Sequence, residues 1–220
     1  MTVPDELRNR LADLHLGAPV HSSDDRHIGS LRRVVVDQDS WEPRAVVVRE
    51  TARFNGHLLA LAAGLMTEEL IVPMSAIARA SRERVDLSIT ASEARHLPPY
   101  LSYAMAPLTG TDTAVNDLAI LVGGATLPRE VESAAKAAGD IEIRVDENVM
   151  LNHEGERFGR VRDVLLDGGE LVGVVVHPDG MFEEDVLVQL RFLERSDDGA
   201  LFLHMTRADL ENLSPFHPES

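Results

Sequence analysis

The feature that most constrains this chain is internal: residues 64–100 and 180–216 align without a gap, each pair 116 positions apart, as Gly64 and Gly180 are. The copies begin Gly64-Leu65-Met66-Thr67-Glu68-Glu69-Leu70-Ile71-Val72-Pro73 and Gly180-Met181-Phe182-Glu183-Glu184-Asp185-Val186-Leu187-Val188-Gln189. Each is a glycine, an acidic turn and an apolar strand. Val85, Leu87 and Ile89 answer Leu201, Leu203 and Met205, and this period of two gives each copy a strand with one face in a core. Thr90-Ala91-Ser92-Glu93 reads as a capping box, with Thr206-Arg207-Ala208-Asp209 as its weaker acidic counterpart. Both copies close on proline and an aromatic, at Leu97-Pro98-Pro99-Tyr100 and Leu213-Ser214-Pro215-Phe216. Upstream, Ile28-Gly29 answers Phe158-Gly159, and Val34-Val35-Val36-Asp37 answers Val164-Leu165-Leu166-Asp167, now 130 positions apart. The first copy is therefore 14 residues longer, two of them in the Asp37–Ala45 turn and twelve between Val48 and Gly64. Turn, strand, cap and terminal proline staying in register mark a tandem duplication.

A chain of 220 residues, 44% hydrophobic, has enough apolar material for two small cores, so two domains are expected. No apolar run reaches the length of a membrane span; His57–Met66 and Leu118–Leu127 are both too short. Met1-Thr2-Val3-Pro4-Asp5-Glu6 has none of the marks of a secretory leader. The absence of cysteine removes disulfides, thiolate metal sites and thiol catalysis, and suits a reducing, cytoplasmic setting. The net charge of −16 is uneven: residues 1–100 hold 12 basic and 14 acidic residues, residues 101–220 hold 9 and 23. Such an acidic second half repels phosphate backbones and anionic headgroups, so direct nucleic-acid binding is not expected and a basic protein surface is the better-matched partner.

Pro4 to Leu16 reads as a short amphipathic helix with Leu7, Leu11 and Leu14 on one face, giving an N-terminal segment over residues 1–16. Residues 17–100 form the first unit, with its most evident strands at Val34–Val36 and Val46–Val48. Residues 101–140 match neither copy, and Pro128 to Gly139 predicts a helix over 128–138 with proline in its first turn and glycine at its end. The second unit covers 141–216, opening with a strand Ile141–Val145, and 217–220 form a tail.

These residues resemble the PRC-barrel family, the small β-barrel of the cytoplasmic domain of the photosynthetic reaction centre H subunit and of the C-terminus of the ribosome maturation factor RimM. The resemblance covers about residues 16–100 and 145–216. Its marks are Gly17-Ala18-Pro19-Val20, Ile28-Gly29, the strand Val34–Asp37, Leu70-Ile71-Val72-Pro73 before Met74-Ser75-Ala76-Ile77, and the closing capped helix; the second copy keeps Phe158-Gly159 but has Gln189 where the family usually has proline. The fold this implies is mainly β with short helices (α+β): two PRC-type β-barrels joined by a partly helical linker. The role it implies is docking rather than covalent chemistry, since the barrel caps the cytoplasmic face of the reaction centre in one relative and helps engage a ribosomal protein in the other.

The residues able to carry chemistry agree with that implication. No two of the nine histidines sit at the i, i+2 or i, i+4 spacing of a metal site. His21 and His27 with Asp24 and Asp25 could converge across a hairpin, although a solvated loop is the more ordinary reading of such a composition. Glu183-Glu184-Asp185 and Asp197-Asp198 lack a calcium-loop pattern, and Gly123-Gly124 lacks the lysine of a phosphate loop. No catalytic, cofactor or metal residues are assigned, and the chain is read as a non-enzyme. The most distinctive segment is the first unit's insertion over 51–62, which the second unit replaces with His177-Pro178-Asp179. Phe54, His57, Leu58, Leu59 and Leu61 in that insertion, with Glu183, Glu184 and Asp185 in the acidic turn, are the predicted partner-binding residues. The reading is an adaptor that stabilises a larger complex, most specifically a cytoplasmic accessory subunit of a photosynthetic reaction centre, peripheral to the membrane through its protein partner. The alternatives are an assembly factor for a basic ribosomal protein and a ligand- or metal-responsive regulatory module.

Overall fold

The computed structural model describes residues 14–51, 69–81, 83–106, 129–151, 156–167, 169–180, 184–196, 200–206, 209–210, 212–213 and 215–217. The first unit holds β1 (Pro19–His21), β2 (His27–Asp37), β3 (Pro43–Glu50), β4 (Glu69–Pro73), β5 (Ile77–Ala80), β6 (Val85–Leu87) and the helix α1 (Ala91–Ala94). The connecting region supplies β7 (Leu101–Ala106), β8 (Arg129–Ala134) and β9 (Asp140–Arg144). The second unit holds β10 (Asn148–Leu151), β11 (Glu156–Asp167), β12 (Glu170–Pro178), β13 (Val186–Gln189), β14 (Leu193–Ser196) and β15 (Ala200–Leu203). The strand orders are β4-β3-β2-β1-β6-β5 and β13-β12-β11-β10-β15-β14, the same topology twice. In both, the single parallel pairing along this path joins the first strand to the last, β1 to β6 and β10 to β15.

The duplication extends to individual hydrogen bonds. Tyr100 N–H donates to Glu69 C=O at 2.6 Å, as Phe216 N–H does to Asp185 C=O at 2.7 Å. Both long strands carry a bulge at the same place, between Leu31 and Arg33 in β2 and between Val161 and Asp163 in β11. Thr90 accepts from Glu93 N–H while the Glu93 carboxylate accepts from Thr90 N–H, so the capping box is formed. Thr206 and Asp209 repeat both bonds at 3.3 and 2.8 Å. The glycines near the start of the long strands are explained by crowding: a Cβ on Gly29 would lie 2.0 Å from the Arg49 carbonyl oxygen, and one on Gly159 2.2 Å from that of His177.

The core is continuous across both units. Val20, Leu31, Val34, Val46, Val48 and Val85 are fully buried in the first, and Val149, Val161, Val174, Val176, Val188 and Leu201 in the second. Each such side chain contributes about 1.5–3 kcal/mol by leaving water. The alternation read from the sequence is what delivers these residues to one face.

Three expectations are corrected by the structure. The helix over 128–138 is not formed: residues 129–134 are β8, paired antiparallel with β7 from Leu101↔Ala134 to Ala106↔Arg129. The alanine-rich composition favours helix only weakly, and pairing supplies hydrogen-bond partners that β7 would otherwise lack. The described connector is accordingly a β-hairpin and a strand rather than partly helical. Second, Leu14–Leu16 are not helical; Leu14 is instead buried in the core, and the remainder of the predicted N-terminal helix lies outside the described residues. Third, the strand expected to open the second unit belongs to the first unit's sheet. β9 pairs with β2 from Arg33↔Arg144 to Asp37↔Asp140, along the stretch of that edge which β1 leaves open.

This exchange is reciprocal. Residues entering the second unit run along β2 of the first, and residues entering the first lie against β11 of the second: Leu16 N–H donates to Asp163 Oδ1 at 2.8 Å, and His15 Nδ1 pairs with the same carboxylate. Each entry segment then turns through a left-handed residue, Gly17 with φ 88° before β1 and Asp146 with φ 62° before β10. Two copies that strap each other in this way bury more surface than two domains that merely touch.

Candidate functional site

Of the eight predicted partner-binding residues, Phe54, His57, Leu58, Leu59, Leu61 and Glu183 lie outside the described residues. Their flanks are placed: Thr51 N–H donates to Ile28 C=O at 2.9 Å, and the chain re-enters the sheet at Glu69. Glu184 is exposed. Asp185 has a task within the fold, since its carboxylate accepts from His177 Nδ1 at 2.8 Å and its carbonyl holds Phe216. The acidic run is thus divided between a solvated residue and a structural one.

The densest polar arrangement is one that the sequence reading missed. Arg33 on β2 donates to Glu69 Oε2 at 2.8 Å and to Glu142 Oε2 on β9 at 2.9 Å. Its guanidinium stands 5.0 Å from the centroid of the Tyr100 ring, and the Tyr100 hydroxyl donates to Glu142. Arg49 reaches Glu69 Oε1 at 3.5 Å. Tyr100 is 1% exposed, resting on Val35, Ala45 and Val47, and burial followed by the Glu142 carboxylate drives its phenol far above its ordinary pKa. Burial opposes the Arg33 charge, but Glu142 and Glu69 outweigh it, so the guanidinium holds its proton more firmly than usual. The signal in the sequence was present: a charge set among apolar strand residues, at Leu31-Arg32-Arg33-Val34 and at Ile141-Glu142-Ile143. Chemically the cluster is closed. Every charge has its opposite, and the cluster ties the return of the insertion at Glu69, the hairpin base at Tyr100 and β9 at Glu142 to one side chain.

The loop between β1 and β2 brings together part of the predicted histidine set. His21 and His27 face each other across the hairpin with ring centroids 5.1 Å apart. Asp24 does not join them; its carboxylate accepts from Ala91 N–H at 2.8 Å at the start of α1, and hydrogen bonds from Ser22 and Ala91 keep it below the usual carboxylate range. Asp25 and Asp86 both pair with Arg84, the former at 2.9 Å.

On the second unit a groove of about 290 Å³ opens between β13 and the chain after β15, floored by Leu187, Phe192, Leu213 and Phe216 and edged by Arg191 and Asp209. Its volume falls at the small end of ligand sites, and its polar edge carries both signs of charge. Among the described residues no three His, Cys, Asp or Glu side chains converge to hold a metal ion, and no described helix is long and apolar enough to cross a membrane. No protein-family model matches the chain, and no curated protein matches it.

Proposed function

We propose that this chain is a non-catalytic adaptor, two PRC-type β-barrels fused in tandem, that docks on and stabilises a larger protein assembly; its most specific form is an accessory subunit on the cytoplasmic face of a photosynthetic reaction centre. One observation carries this reading. The polar groups that converge most tightly among the described residues, Arg33, Glu69, Glu142 and Tyr100, neutralise one another and hold the strand that leads into the second unit on the first unit's sheet, leaving no nucleophile beside an open base in this cluster. A constellation of that kind rigidifies a body without acting on a substrate. Beside it, between Thr51 and Glu69, the first unit alone carries the long apolar insertion, which the fold does not need because the second unit closes the same connection within Asp179–Asp185.

The test is affinity purification of the tagged protein in mild detergent from membrane and soluble fractions, beside a variant with Leu58, Leu59 and Leu61 changed to serine. Recovery of pigment–protein complexes with the parent and not with the variant supports the reading; a lone monomer from both fractions rejects it. A second reading, as an assembly factor for a basic ribosomal protein, is favoured by the 23 acidic against 9 basic residues in 101–220. In that case the protein co-sediments with ribosomal particles at low salt and is released as salt rises, because exposed charge pairs are screened.

A further inference from the structure

The β1–β2 hairpin of the first unit holds a pair of imidazoles that the fold does not require. His21 and His27 are direct cross-strand partners beside the bulge that interrupts this pairing. The same register in the second unit, beside the same bulge, is Met150↔Arg157. The duplicate folds the same hairpin without either histidine, so their presence needs an explanation other than packing.

The separation of the two rings matches that of a chelating pair. With metal–nitrogen bonds of about 2.0–2.1 Å and each nitrogen about 1.1 Å from its ring centroid, two imidazoles on a tetrahedral ion have centroids about 5.1–5.2 Å apart. The observed separation is 5.1 Å, with the ring planes inclined at 33°. His27 Nε2 donates to Gly29 C=O at 2.9 Å, which leaves its Nδ1 as the lone-pair nitrogen. A histidine whose second nitrogen is anchored on a backbone carbonyl is the usual arrangement of a metal ligand. His21 Nδ1 is buried without a hydrogen-bond partner, and a buried polar atom in that state calls for a ligand. The Arg84 charge beside His21 is matched by Asp25 and Asp86.

We infer that His21 and His27 form a two-imidazole site for a divalent transition-metal ion of the zinc class, with water completing the coordination. Such a site leaves positions open for a donor brought by another molecule, and it is independent of the docking role proposed above.

The experiment is isothermal titration of the tag-free, chelator-treated full chain with zinc chloride, alongside His27→Ala and the double variant His21→Met/His27→Arg. The double variant installs the residues that the second unit carries at this register, so its folding is safeguarded, and circular dichroism verifies it. The expected result is one zinc ion per chain, an affinity at least about tenfold lower in His27→Ala, and loss of that ion in the double variant. If the parent binds no zinc, or the double variant binds it as tightly as the parent, the inference is overturned and any zinc taken up belongs to other groups.

Discussion

Replacing Arg33 by methionine keeps an unbranched apolar stem and removes the guanidinium charge from between two carboxylates. Arg33, Glu69 and Glu142 have side chains 16%, 7% and 12% exposed, so the two acids are left in an environment that solvates them poorly. Breaking a buried pair by removing one partner costs about 3–5 kcal/mol, most of it the penalty of the charge left behind. Two features keep the loss toward the lower end: Arg49 still reaches Glu69 at 3.5 Å, and the Tyr100 hydroxyl still donates to Glu142. The expected cost is about 3 kcal/mol, a substantial part of the roughly 5–15 kcal/mol that stabilises an ordinary domain. Urea unfolding read by two probes measures it. Trp41, the single tryptophan, lies between β2 and β3 and reports on the first unit, whereas far-ultraviolet circular dichroism reports on both. In the parent the two transitions coincide, because one core runs through both units; in Arg33→Met the fluorescence transition comes first. Adding Glu142→Gln to Arg33→Met removes one orphaned carboxylate, so the double variant is more stable than the sum of its single changes. A cost for Arg33→Met below about 1 kcal/mol, or strict additivity in the double variant, refutes the argument that this cluster is a buried, mutually dependent lock.

Three further outcomes are expected. Gly29→Ala and Gly159→Ala each drive a Cβ into a strand carbonyl held by the sheet, and each lowers stability by about 3 kcal/mol or more, about 6–12 °C in a thermal melt. Thr90→Ala removes the hydroxyl that accepts from Glu93 N–H and costs about 1 kcal/mol in chemical denaturation, while Thr90→Ser keeps most of that stability. The Asp37 carboxyl is held down at about 2, first by the Ser40 N–H and then by Arg44 and the Ser40 hydroxyl. Because its folded pKa lies below the ordinary value of 3.8, its contribution is complete above that value and is lost as pH falls from about 4 to about 2. Carboxyl carbon shifts in an acid titration report this step directly, and a midpoint near 3.8 refutes it.

What the sequence disclosed was what depends on local pattern. Period-two runs such as Val85-Asp86-Leu87 and the cap at Thr90 each have a cause within a few residues, and each stands where expected. What it concealed depends on which distant segments meet. Nothing in Asp140–Arg144 states that this strand pairs backward with β2 rather than forward with β11, because an isolated strand has two equivalent edges and no local mark of its neighbour. The charged cluster was hidden for the same reason: Arg33, Glu69 and Glu142 come from three strands, and each alone resembles a solvent-facing residue of an alternating pattern. The segment 129–134 shows the opposite failure, in which a legible local preference for helix loses to pairing partners 23 to 33 positions away in sequence, from Ala106↔Arg129 to Leu101↔Ala134.

The duplication also separates fold from function. A feature present in both copies, such as the bulges, the capped turns or the aromatic after the terminal proline, is accounted for by the architecture they share and carries no information about activity. A feature present in one copy has survived, or arisen, without being needed to build that architecture. Counted in this way, Asp163 in place of Arg33, Asp185 in place of Glu69 and Phe216 in place of Tyr100 show that the second unit does without the charged lock, so that lock serves to hold β9 on the first unit's sheet and is not needed for the shared topology. The insertion after β3 and the histidine pair at 21 and 27 meet the same criterion. Both belong to the first unit. Under the docking role proposed above, the second copy keeps the scaffold while the first carries the unshared features, and substitutions that spare stability yet abolish binding concentrate in the first unit.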